Sequence, residues 1–147
     1  MPFKIFEHTA DVGIIVEAKS REGIYEEAGR AMFSIIGELS KIEEKDKYEF
    51  EIESDSYDAL LVDFLSELLF LHETNNSLFS KFKVRIKEIK KEGGKEGEKK
   101  VHLSASVWGE KISKKHTLKT AIKAVTYHML SFEKKHKGYI AKVLFDI

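Results

Sequence analysis

Apolar residues along this chain recur either at every second position or at the three-and-four spacing of a helix, and the order of the two patterns predicts the fold. Phe3 to Phe6 and Val12 to Val16 are short apolar runs with the aromatic and β-branched content of strands. The polar EHTAD between them is too short for a helix, which implies a hairpin or a tight strand-to-strand crossover. Ser20 then stands as an N-cap ahead of Ile24, Ala28, Ala31, Met32, Ile35 and Ile36, with Gly37 as a stop, so a helix is expected over 21–36. Its other face carries Glu22, Glu26, Glu27 and Arg30, as in a helix that covers one face of a sheet.

Tyr48, Phe50 and Ile52 alternate with charged residues, as in a half-buried strand. A second helix is expected from Tyr57 to about Leu71, capped by Asp55 or Ser56 and built on a wide leucine-rich stripe that includes Phe64. Asp58 suits the positive end of its dipole, and His72 the negative end. Phe82, Val84 and Ile86 form another strand; Val101, Leu103, Ala105 and Val107 form the next, ending in a turn at Trp108 to Glu110. The intervening KKEGGKEGEKK cannot bury anything and reads as a mobile tip.

The run TLKTAIKAVTY, 117–127, predicts a short third helix with Leu118, Ala121, Ile122 and Val125 inward. It is expected to pass into strand before Tyr127, because Val125, Thr126 and Tyr127 are weak helix formers. Met129 to Glu133 and Tyr139 to Ile147 then read as two strands around the polar KKHKG, with Gly138 in the turn. The sum is one domain over 1–147 of the α+β class: a mainly antiparallel β-sheet with two longer helices packed on one face and a short third helix.

Composition narrows the function classes. With 42% hydrophobic and 34% charged residues in 147, the chain can build a single core and is not disordered. Lys plus Arg equals Asp plus Glu at 25 each, so no global field favours nucleic acid or an anionic membrane. The absence of cysteine excludes disulfides and thiolate chemistry. No secretory signal and no membrane-spanning run is visible, which makes a cytoplasmic protein the expectation.

Within this frame, His8, Thr9 and Asp11 fall at the joint of the first two strands, and Gly13 marks backbone that bends or is closely approached. Asp11 there is either a local acceptor in a solvated turn or a carboxylate held for a cation or a catalytic step. On the final strand Val143 and Phe145 share one face, Leu144 and Asp146 the other. If that strand lies beside the first hairpin, Asp11 and Asp146 meet at one sheet edge, where two carboxylates repel unless a cation or proton lies between them. Oxygen ligands alone favour Ca²⁺ or Mg²⁺ over Zn²⁺.

The run His8, Thr9, Ala10, Asp11, Val12, Gly13, the run Ile122 to His128, and the terminal Phe145, Asp146, Ile147 together resemble the archease family. Gly109 and Glu110 followed by His116, and the helix around LLVDFLSELL, fit the same pattern. The resemblance implies an accessory protein, not itself an enzyme, of the RtcB-type RNA ligase that joins tRNA exon halves. Such a protein helps the ligase become guanylylated at its active-site histidine and turn over many times. The resemblance also implies a divalent metal site with Asp11 and Asp146 as ligands and Ile147 adding a backbone or terminal carboxylate oxygen. Ca²⁺ is the expected ion, with Mg²⁺ or Mn²⁺ as alternatives. Lys123 is then a functional cation beside the site, and His8, Glu110 and His116 are second-layer candidates around it. The ligase is the implied partner, tRNA is reached through it, and no membrane is involved.

Plainer readings stand beside these. Lys123 can be a surface ion-pair partner, and His8, His116 and His128 can each make one hydrogen bond that steadies a loop. A metal-dependent hydrolase or nucleotidyl-transfer enzyme could use the same two aspartates, with His8 or His116 as base, although no phosphate-cradling glycine loop is present. An RNA-binding or chaperone-like module would use the lysines; the neutral charge and the lack of an aromatic-basic strand motif count against it.

Overall fold

The computed structural model describes residues 2–8, 10–90, 93 and 97–147, with His8 described by its backbone alone. The tip expected at KKEGGKEGEKK therefore falls largely outside the described residues, as does Thr9 at the first joint. Among the described residues seven antiparallel strands form two sheets: β1 (Phe3–His8), β2 (Asp11–Ala18), β7 (Gly138–Asp146) and β6 (Ala124–Lys135) in one, in the order β1-β2-β7-β6. The other holds β3 (Asp46–Ser54), β5 (Lys99–Lys111) and β4 (Ser77–Lys90), in the order β3-β5-β4. This is the α+β class read from the periodicities, with the strands divided between two sheets.

Two α-helices lie against both sheets, α1 (Arg21–Ile36) on β2 and β4, and α2 (Tyr57–Asn75) on β3 and β6. The Ser20 hydroxyl accepts the Gly23 N–H at 3.0 Å and fixes the start of α1. Helix α2 runs a turn beyond Leu71, because Asn76 takes the left-handed conformation at φ 50° and returns its N–H to the His72 carbonyl. His72 does more than face a dipole: its Nδ1 lies 2.7 Å from the Ser77 carbonyl, tying the helix end to β4.

The core follows the period-two rows. Val12, Ile14 and Val16 on β2 stand opposite Phe145, Val143 and Ala141 on β7, and all six are buried. Tyr25, Phe33, Phe64 and Phe79 fill the space between these strands, the helices and the second sheet.

The expected third helix over 117–127 does not form. Residues 116–123 are an extended connection, and β6 starts at Ala124. The backbone of this stretch is tied elsewhere: the Lys119 N–H donates to the Ile36 carbonyl at 2.8 Å, and the Lys123 N–H, which a helix would have used internally, donates to the Asp146 carbonyl at 2.8 Å. Of the four apolar residues assigned to its inner face, Ile122 is buried, Val125 joins the ladder opposite Phe145, and Leu118 is 55% exposed. A helix this short carries the full cost of nucleation, and tertiary pairing of Val125 and Thr126 outcompetes it. The third helical element is a 3-10 turn at Leu39–Lys41.

Strand β5 also continues through Trp108, Gly109 and Glu110 where a turn was expected. A bulge in β4 between Phe79 and Lys81 brings the Leu78 carbonyl oxygen within 1.8 Å of where a Cβ on Gly109 would sit, so only glycine fits there.

Candidate carboxylate centre at the β2–β7 edge

The hairpin and the last strand settle where the predicted residues go. In the antiparallel ladder His8 pairs with Asp11, Asp11 with Asp146, and Asp146 with Ala124, so one row crosses all four strands at the end of the sheet. Directly opposed residues project to the same face, which puts the Asp11 and Asp146 carboxylates on a common side. That side is the outer one, since the neighbouring pair Val12–Phe145 faces the core. Asp11 is half-buried; Asp146 and Lys123 are exposed, and Ile147 is 41% exposed.

The row is held in place by its backbone. The Lys123 N–H donates to the Asp146 carbonyl at 2.8 Å, which fixes the start of β6 and sets the base of the lysine beside the aspartates. Gly13 is closely approached, as expected, but by the Phe6 ring: a Cβ at Gly13 would fall 2.2 Å from Phe6 Cζ. The cross-strand register that places Phe6 over Gly13 follows from a two-residue connection, so the sequence carried this signal and its use for Phe6 was missed. His8 stands opposite Asp11 in register, while its side chain lies outside the described residues.

Glu110 and His116, the other predicted neighbours, are brought together in an assembly of their own. Glu110 is 5% exposed, and its Oε2 accepts the Glu43 N–H at 2.6 Å and faces Lys115 Nζ at 2.9 Å and His116 Nε2 at 3.1 Å. Lys45 Nζ lies 3.7 Å from Oε1. The Ser113 N–H donates to His116 Nδ1 at 2.9 Å, so Nε2 carries the hydrogen that points at Glu110. Burial by itself raises this carboxyl, but the Glu43 N–H, Lys115 and His116 more than offset it and bring the pKa down to about 2. The clasp closes the β5–β6 connection onto the segment after the 3-10 turn. Glu43, Lys45 and Lys115 were not foreseen in it, and no local pattern could show a partner 67 residues away.

Among the described side chains of the edge row, the donors are the carboxylate oxygens of Asp11 and Asp146. Among the described residues no three His, Cys, Asp or Glu side chains converge to hold a metal ion; Asp11 and Asp146 are the two carboxylates of the row that could contribute to one. The two carboxylates suit a hard, oxygen-seeking divalent cation that accepts water or partner ligands in its other positions. Among the described residues no helix is long and apolar enough to cross a membrane.

Known proteins sharpen this picture. The profile of the Archease protein family matches residues 3–147. A relative from Methanothermobacter thermautotrophicus, named Protein archease, is 37% identical over 145 residues, covering 99% of this chain and 98% of its own. A namesake from Methanosarcina mazei is 39% identical over 146 residues, covering 99% and 95%. The solution structure of protein 1598 from Methanobacterium thermoautotrophicum superposes with a TM-score of 0.79 at 30% identity, covering 99% of both chains. With the family profile matching almost end to end, and relatives above a third identical over their whole length, this chain belongs to the archease family.

Proposed function

We propose that this protein activates an RtcB-type RNA ligase in tRNA splicing, in the cytoplasm, as an accessory protein and not as an enzyme. Family membership supports the reading, and the observation that carries it is the register pair Asp11–Asp146, with Lys123 tied by its N–H to the Asp146 carbonyl. Two carboxylates set directly opposite each other on one face of a sheet end are an arrangement that a divalent cation can bridge.

In this reading Asp11 and Asp146 hold a divalent ion, Ca²⁺, Mg²⁺ or Mn²⁺, with an oxygen of Ile147 beside them. The ion supplies positive charge to the phosphates of a nucleotide while the ligase is being guanylylated. Two carboxylates leave most of a hard cation's six to eight ligand positions to water or to a partner, so binding to the chain alone is expected to be weak and to strengthen at the ligase. Lys123, exposed at the rim, adds a second positive group within reach of the same phosphates. The exposed edge leaves room for a protein partner to close over the row.

The test is RNA joining by an RtcB-type ligase at limiting concentration, with GTP and a divalent ion. The chain should raise conversion beyond one product per ligase, and Asp11→Ala, Asp146→Ala and Lys123→Ala should each remove most of that gain. Single-turnover conversion in the presence of the wild-type chain would defeat the reading. Full stimulation by the aspartate variants would defeat the role given to the row.

A further inference from the structure

We propose that the outer face of the β3-β5-β4 sheet binds single-stranded RNA, in direct contact with this chain and independently of any ligase. The face is built by register. Lys47, Glu49, Glu51 and Glu53 on β3 stand opposite Trp108, Ser106, Ser104 and His102 on β5, which stand opposite Lys81, Lys83, Arg85 and Lys87 on β4. Three stripes result, acidic on one edge, neutral and hydroxyl-bearing in the middle, and basic on the other. A cavity of about 510 Å³ lies along them, lined by Lys83 and Arg85 on one side, Glu49 and Glu51 on the other, and Ser104, Ser106 and Trp108 between.

The charges on the two edges are not equivalent. Of the three glutamates on this face, Glu49 lies 2.9 Å from Lys47 Nζ, and Glu51 and Glu53 lie 3.0 and 3.1 Å from the ring nitrogens of His102. On β4, Lys83, Arg85 and Lys87 are exposed and form no ion pair among the described residues. The face therefore carries, along β4, a row of three cations that form no ion pair among the described residues, set apart from the acidic edge on β3 by the neutral middle strand. Residues two apart on a strand are about 6.8 Å apart, a spacing comparable to that of successive phosphates on an extended single strand.

A phosphate backbone laid along β4 turns its bases over the central strand. There Trp108 offers a ring for stacking, and Ser104 and Ser106 offer hydroxyls to the 2′-OH groups and base edges. Lys81 and Lys47, now 4.7 and 5.5 Å from the Trp108 ring centre, are long exposed side chains that can move to the phosphates and leave the ring to a base. Aromatic and cations sit on different strands, so no single stretch of sequence shows the combination.

Trp108 is the only tryptophan in the chain, which makes the test direct. Its emission is followed while an unstructured oligouridylate of about ten nucleotides, within the usual site sizes for single strands, is added to the chain alone. Quenching should saturate, and the logarithm of the affinity should fall against log salt with a slope of about −2, from three phosphate contacts at about 0.7 each. Lys83→Glu with Arg85→Glu should weaken binding by about tenfold or more, whereas Lys135→Glu, on the other sheet, should not. Circular dichroism confirms that the variants are folded. Absent quenching, salt-independent quenching, or equal binding of the matching DNA would overturn the assignment. Displacement of the RNA by oligoglutamate at equal charge concentration would overturn it in favour of an acidic protein partner. Because no ligase is present, failure here leaves the activation reading intact.

Discussion

Two acidic centres of this protein are built in opposite ways. Glu110 is buried and completed: a backbone N–H, an imidazole N–H and an ammonium group converge on one oxygen, and its pKa falls to about 2. Asp11 and Asp146 are set opposite each other at the end of a sheet, like charge facing like charge on the outer side. A carboxylate surrounded by the chain's own donors serves the fold. On the reading proposed above, the pair at the sheet end serves a binding partner instead, and the contrast is between a buried network and an exposed edge.

The largest expected effect lies in the completed centre. Glu110→Ala strands the Glu43 N–H, His116 and Lys115 around a cavity and should cost about 3 to 4 kcal/mol, as removal of one partner from a buried charged network does. Asp146→Ala, at an exposed position, should change stability by less than about 0.5 kcal/mol. Urea titration of both variants checks the pair, and equal losses would erase the distinction. Each centre also has a glycine beside it. At Gly109 the obstruction is the Leu78 backbone, which cannot give, so Gly109→Ala should cost about 3 kcal/mol. At Gly13 it is a Phe6 ring on an edge strand, which can turn aside, and Gly13→Ala should cost about 1 kcal/mol.

The two centres also differed in how far the sequence revealed them. The alternation of Val143, Phe145 and Asp146, together with the short EHTAD joint, was enough to bring Asp11 and Asp146 together once the strands paired, because period-two patterning fixes which face a residue takes. The Glu110 clasp was legible only as two separate residues, Glu110 and His116. Glu43 and Lys45 come from a loop far away in sequence, and long-range hydrogen bonds leave no periodic trace. Strand and helix spans held where a stripe ran for several turns, as in α1. They failed at 117–127, where a short helical pattern competed with a ladder that the sequence did not announce. Two sheets instead of one was likewise a tertiary outcome, set by which strands the helices separate.

A third difference is in acid. Glu110 titrates from about 4.5 unfolded to about 2 folded, so its contribution is present above about pH 4.5 and is lost as pH falls towards 2. The difference of 2.5 between those values, at about 1.36 kcal/mol each, bounds the loss at about 3 kcal/mol. Glu26 works in the opposite direction: burial raises its carboxyl, so protonation in acid relieves a cost and offsets part of the loss. Stability measured against pH should therefore fall steeply between 4.5 and 2 in the wild type and less steeply in Glu110→Gln. An unchanged slope in that variant would mean that the clasp is not where the acid sensitivity resides.

The smallest effect is the most diagnostic for the open pair, because it changes sign. With divalent ions removed by a chelator, Asp146→Asn relieves repulsion across the β2–β7 register and should stabilise the fold by up to about 0.5 kcal/mol. The gain should shrink in high salt, which screens exposed charges. On the proposed reading, the wild type with Ca²⁺ at about a hundredfold its dissociation constant should gain about 2.7 kcal/mol, by mass action on the folded state alone. The variant, short of one of its two carboxylates, gains far less, and the order of stabilities reverses. Melting both proteins with and without Ca²⁺ reads the crossing. If Asp146→Asn is the less stable protein in chelator, contacts that Asp146 makes within the fold outweigh any repulsion across the register, and the charge pair is not what sets the edge apart from Glu110.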